Sequence, residues 1–115
     1  MSKYILFTLN PWLEEDNKGL YYCPACGVVE GFLAYAPEVR DQIEINYIDF
    51  QGPRHKVIDY LGTENQGCPV LVFDESLMPP EGSRKSSSTG KSFIDDANTI
   101  CHFLGKTFGS ARPHP

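Results

Sequence analysis

The sequence predicts an α/β domain in the order β-α-β-α-β-β-α, around a four-stranded mixed sheet with strand order 2-1-3-4. Three observations carry this. Two short runs, Tyr4–Leu9 and Val70–Phe73, are almost continuously apolar, which suits strands buried on both faces. Between them lies a helix-patterned segment opened by Cys23-Pro24-Ala25-Cys26. The chain has 115 residues, the length of one domain, and can bury a core without disulfide staples.

The first strand, Tyr4–Leu9, is stopped by Asn10-Pro11. A long polar loop over residues 10–22 should follow, containing Glu14-Glu15-Asp16 and Asn17-Lys18-Gly19. From Pro24 to Ala36, Val28, Val29, Phe32, Leu33 and Ala36 form one apolar helical stripe. Pro24 suits the first helical position, and Pro37 should end the helix. Gly27 and Gly31 are costly inside a helix and imply close backbone approach. Glu44 to Phe50 is a second, more polar strand. Gly52-Pro53 should start a short helix with Val57, Ile58 and Leu61 inward and Gly62 as its stop. Val70–Phe73 is the third strand. Residues 74–91 are polar, small and basic, and are expected to form a mobile surface loop. A short strand over residues 92–94 precedes the last helix, with Asp95 as its N-cap and Ala97, Ile100, Cys101 and Leu104 on the inner face. The tail, residues 110–115, is expected to be poorly ordered. The two apolar strands should be central, and the second and fourth should be edges.

Ten basic against fifteen acidic residues give a net charge of −5. A chain this acidic is a poor candidate for binding nucleic acid or an anionic membrane surface, which need a basic face. No run approaches the roughly 20 apolar residues of a membrane-spanning helix, and the N-terminal apolar run is too short for a secretory signal. These features lead us to expect a cytoplasmic protein. Four cysteines in that compartment point to catalytic, redox or metal chemistry rather than a structural disulfide framework.

Cys23 falls at the N-cap of the helix and Cys26 at its third position. A sulfur at the N-cap can accept hydrogen bonds from the free N–H groups of the first turn, at the positive end of the helix dipole. Both effects favour the thiolate and lower its pKa. Positions i and i+3 also share a helix face, within reach of a disulfide. The spacing therefore supplies an activated nucleophile and a neighbour able to resolve a mixed disulfide. The alternative is half of a zinc site, although Cys68 and Cys101 are isolated singles. Cys68 is read as a small core hydrophobe, a third redox partner or a metal ligand, and Cys101 as core filler. Trp12, Tyr21 and Tyr22 either line a groove beside the dithiol or pack the long loop.

The Cys23-Pro24-Ala25-Cys26 motif after a first strand, with Gly67-Cys68-Pro69-Val70 entering a later one, resembles the thioredoxin fold. The likeness is to glutaredoxins and the N-terminal domain of glutathione S-transferases. It implies a cis peptide before Pro69, which would face the dithiol. It also implies that Asp95-Asp96, opening the last helix, would hold the γ-glutamyl end of glutathione. A narrower likeness rests on Tyr22-Cys23-Pro24, Val29-Glu30-Gly31, Gly52-Pro53-Arg54, Glu64-Asn65-Gln66 and the Pro113-His114-Pro115 ending. These resemble a bacterial family of unknown function with a thioredoxin-like fold.

Three functional classes stay open. The first is a thiol–disulfide oxidoreductase with Cys23 attacking and Cys26 resolving, Pro69 shaping the groove, and Tyr22, Cys68, Asp95 and Asp96 contacting substrate. The second is a thioredoxin-like module that binds glutathione or a protein partner without turnover. The third is a metal or iron–sulfur carrier using Cys23, Cys26 and Cys68. Glutathione is the one cofactor the resemblance brings in. A thiol or disulfide substrate, or a protein, is the expected partner.

Overall fold

A computed structural model describes residues 3–15 and 19–115. Asp16, Asn17 and Lys18 of the long loop lie outside the described residues. The elements run β1 (Tyr4–Leu9), β2 (Trp12–Leu13), β3 (Leu20–Tyr21), α1 (Pro24–Tyr35), α2 (Pro37–Arg40), β4 (Glu44–Ile48), α3 (His55–Leu61), β5 (Val70–Phe73), β6 (Arg84–Lys85), β7 (Ser92–Ile94) and α4 (Ala97–Phe108). One mixed sheet has the order β4-β1-β5-β7-β6, and β2 pairs with β3 in a separate two-stranded arm. β1 is parallel to β4, with Phe7 opposite Asn46, and antiparallel to β5, with Leu6 opposite Leu71.

Side chains of β1 alternate between two cores, as a strand must when both its faces are covered. Leu6, with Leu71, Phe73 and Ile94, packs against Val29, Leu33, Ile100 and Leu104 of α1 and α4. Ile5, Phe7 and Leu9, with Val70, Val72 and Phe93, pack against Val57 and Leu61 of α3. Helices therefore flank the sheet on both sides. Cys26 belongs to the α3-side cluster although it stands on α1, because the first turn of α1 overhangs the end of β1.

Several expectations need correction. The sheet gains a fifth strand, β6, so β7 is interior rather than an edge. Residues 84–91, placed in a mobile loop, are tied down: buried Ser86 donates to the Leu61 carbonyl at 2.8 Å and Thr89 Oγ1 to the Tyr60 carbonyl at 2.7 Å. Pro37 ends α1 and also begins α2, since a proline suits the first turn of a new helix as well as it stops an old one. α3 starts at His55, after Arg54, and β4 ends at Ile48. The N-cap of α4 is Asp96 and not Asp95. The tail also has a bed on α4: a Cβ at Gly105 would lie 2.8 Å from the Ala111 carbonyl oxygen, and Ser110 Oγ donates to Glu38.

Candidate functional site

The site grows from the start of α1. Cys23 has extended backbone angles (φ −72°, ψ 119°) at the N-cap, and Pro24 takes the first helical position. The Cys26 N–H therefore points back at Cys23 Sγ and donates to it at 3.3 Å. Cys23 is half-buried, and its thiol faces the Cys68 carbonyl oxygen at 4.0 Å. Cys26 lies behind it and is buried. Burial raises the Cys26 thiol pKa above its ordinary value; the Thr8 hydroxyl opposes this, the Cys23 sulfur adds to it, and the Leu9 backbone opposes it again. All four cysteines are free thiols.

The Cys68–Pro69 peptide is cis, as is Gly52–Pro53. Burial pushes the Cys68 thiol up to about 12; the Arg54 guanidinium pulls it back, while Cys26 and Cys23 raise it further. The three sulfurs are thus within electrostatic reach of one another. Among the described residues, no three His, Cys, Asp or Glu side chains are placed to hold a metal ion. Cys68 itself is half-buried. Cys101 is core filler on α4, and burial pushes its thiol up to about 11.

Cys23, Cys26 and Tyr22 line one cavity of about 840 Å³, together with Thr8, Gly27 and Gly31. Tyr22 is 67% exposed, and its ring lies on Gly27, where a Cβ would come within 2.9 Å of Cε1. That is the close approach which places a glycine in this helix. At the far end of the cavity, Glu30 accepts from Tyr47 at 2.9 Å and from Arg40 at 2.9 Å. A second cavity of about 750 Å³ adjoins the first across Tyr22 and Pro24, beneath the β2–β3 arm.

The acidic pair is divided. Asp95 accepts from Arg84 at 2.6 Å and lines a pocket of about 170 Å³ with Glu64, Gln66, Gly67 and Val70, beside the Cys68–Pro69 segment. Asp96 is spent on its own helix, accepting from the Thr99 N–H at 3.0 Å and the Thr99 hydroxyl at 2.8 Å. Two residues escaped the sequence reasoning. Thr8 is a buried hydroxyl in an otherwise apolar strand, a contrast that could have singled it out. Arg54 donates to the Phe50 carbonyl from Nε and Nη2 (3.1 and 2.8 Å) and to the Gln66 carbonyl from Nη1 (2.9 Å). No local pattern announces that staple.

Among solved structures, the chain is similar to glutathione transferase Omega 2C from Trametes versicolor, with a TM-score of 0.58 and 16% sequence identity. The match covers 95% of this chain and 39% of that one, so the chain spans well under half the length of that transferase. At this identity the likeness concerns the fold: a mixed sheet with flanking helices. No curated protein matches the chain. A family model matches residues 3–112, and the chain accordingly belongs to DUF3088, a family of proteins of unknown function.

Proposed function

We propose that this is a thioredoxin-like domain of glutaredoxin type, acting as a thiol–disulfide oxidoreductase. One observation carries the reading: a half-buried Cys23 at a helix N-cap accepts the Cys26 N–H, with Cys26 buried directly behind it. The Cys23 thiolate attacks a substrate disulfide, forming a mixed disulfide and expelling one substrate thiolate, which takes up a proton. The Cys26 thiolate then attacks Cys23 Sγ, forming the Cys23–Cys26 disulfide and releasing the second thiol. Two electrons have passed to substrate, and a low-molecular-weight thiol such as glutathione restores the dithiol. The Cys68 carbonyl, 4.0 Å from Cys23 Sγ and next to Pro69, would meet a substrate chain that reaches Cys23 beside Tyr22. Asp95, ion-paired to Arg84, is the member of the acidic pair that lines a pocket. The likeness to a glutathione transferase fold supports this reading without naming the substrate.

A second reading is a docking module without turnover. It draws on the exposed apolar residues near the dithiol, Leu13 and Leu20 at 67% each and Tyr22. Turnover of a model disulfide with glutathione as reductant separates the two. The oxidoreductase reading expects turnover that Cys23→Ser abolishes, and a trapped mixed disulfide in Cys26→Ser. A protein that binds disulfide peptides but leaves them intact would establish the docking module instead.

A further inference from the structure

We infer that the cavity under the β2–β3 arm is a cation subsite, which receives a lysine or arginine side chain from the protein segment presenting its disulfide to Cys23. This deepens the oxidoreductase reading and rests on it for the disulfide, though not for the cation. The cavity holds about 750 Å³, and four of its walls are the aromatic rings of Trp12, Tyr21, Tyr22 and Phe50. Trp12 stacks on Phe50 with centroids 4.1 Å apart and planes 7° from parallel. Phe50 is already engaged, stacked on Trp12 and with the Arg54 guanidinium 5.4 Å from its centroid, so it backs Trp12 while the rings of Trp12, Tyr21 and Tyr22 are left to meet the cation. The charged side chains lining the cavity are the carboxylates of Glu14 and Glu15, and among the described residues no lysine, arginine or histidine lines it.

That combination discriminates between occupants. A cation gains from the ring faces and from both carboxylates. An aliphatic side chain would gain only the rings and would strip water from two carboxylates without replacing it. An anion is repelled by Glu14 and Glu15, and by a chain of net charge −5. Tyr22 and Pro24 also line the cavity that contains Cys23, so a substrate attacked at Cys23 passes directly beside the subsite. An extended segment advances about 3.3 Å per residue. Because the two cavities adjoin across Tyr22 and Pro24, the basic side chain comes from a position close in sequence to the reacting cysteine.

The test uses the full chain, whose single tryptophan is Trp12, so its emission reports on this cavity alone. The probes are an acetylated, amidated tripeptide of lysine and its glutamate counterpart. The lysine peptide should change Trp12 emission saturably and the glutamate peptide should not. The double variant Glu14→Gln/Glu15→Gln should weaken that response about fivefold, as should a comparable loss of charge attraction at high salt. In turnover, two peptide disulfides differing only by lysine or glutamate beside the cysteine should differ about fivefold in kcat/KM, and the double variant should bring that ratio toward one. An unchanged emission, equal responses to the two peptides, or an undiminished response in the double variant overturns the subsite. A lysine-specific response in a protein that turns over neither disulfide leaves the subsite standing and removes the oxidoreductase reading.

Discussion

Replacing Thr8 with valine should slow the resolving step while sparing the attacking one. Thr8 is buried, at 3% exposure, and its hydroxyl acts on Cys26 in the direction that favours its thiolate. Valine keeps the shape of the side chain and removes the donor. A hydrogen bond to an ionised partner contributes about 1.5–3 kcal/mol, so losing it cuts the Cys26 thiolate population about 10- to 100-fold at neutral pH. A more basic thiolate is a better nucleophile, with a Brønsted slope of about 0.4–0.5, which returns part of that loss. The net slowing is then about three- to tenfold. The assay preloads Cys23 as a mixed disulfide with a chromogenic thiol and follows release of that thiol, which requires attack by Cys26. Thr8→Ser, which keeps the hydroxyl, should restore most of the rate, and the Thr8→Val profile should move to higher pH. Resolution by Thr8→Val at the parent rate, with an unmoved pH profile, would refute the role of the hydroxyl.

Cys23 should alkylate first of the four cysteines at mildly alkaline pH, because Cys26 is buried with a raised pKa and burial holds Cys68 near 12 and Cys101 near 11; peptide mapping after brief iodoacetamide treatment checks the order, and Cys68 reacting first would contradict it. Asp96→Ala should cost about 1 kcal/mol of stability, read as a lower urea midpoint, because it removes the cap of α4. The Thr99 N–H and hydroxyl hold the Asp96 carboxyl below the usual range, so this contribution is present above the unfolded pKa of about 3.9 and is lost as pH falls through the lower folded value. The difference between parent and variant should accordingly shrink at strongly acid pH. Gly105→Ala should lift the tail, since the new Cβ would lie 2.8 Å from the Ala111 carbonyl, and hydrogen exchange at the Ser110 amide, which donates to the Gly105 carbonyl at 2.8 Å, should accelerate. An unchanged exchange rate would mean the tail accommodates the methyl group in place.

What the sequence made legible was what local chemistry determines. The two apolar strands, the Val29, Phe32 and Leu33 stripe on α1 and the N-cap position of Cys23 each follow from residues within one or two turns of each other, whereas Val28, read into that stripe, is 44% exposed. The misreadings share a different origin. Residues 84–91 are polar enough for a free loop, and their order comes from Ser86 and Thr89 reaching carbonyls of α3 that are 25 and 29 positions away. Asp95 and Asp96 are equivalent as neighbours in a sequence. Thr99, three residues past Asp96, decides between them, and Arg84 then takes the other. Thr8 and Arg54 gain their places beside Cys26 and Cys68 only when separate elements meet. The candidate cysteines could thus be named from spacing, while the groups that tune them could not.

The membership of Cys26 in the α3-side core has a thermodynamic consequence. Folding and dithiol oxidation form a closed cycle, so whatever core packing contributes differently to the reduced and oxidised forms must reappear as a difference in reduction potential between the folded and unfolded chain. For a two-electron couple, about 1.4 kcal/mol corresponds to about 30 mV. Val57 and Leu61 share that core with Cys26 and lie on another helix. A methyl group trimmed there would alter the electron affinity of the pair without touching a sulfur, a hydrogen bond or a charge.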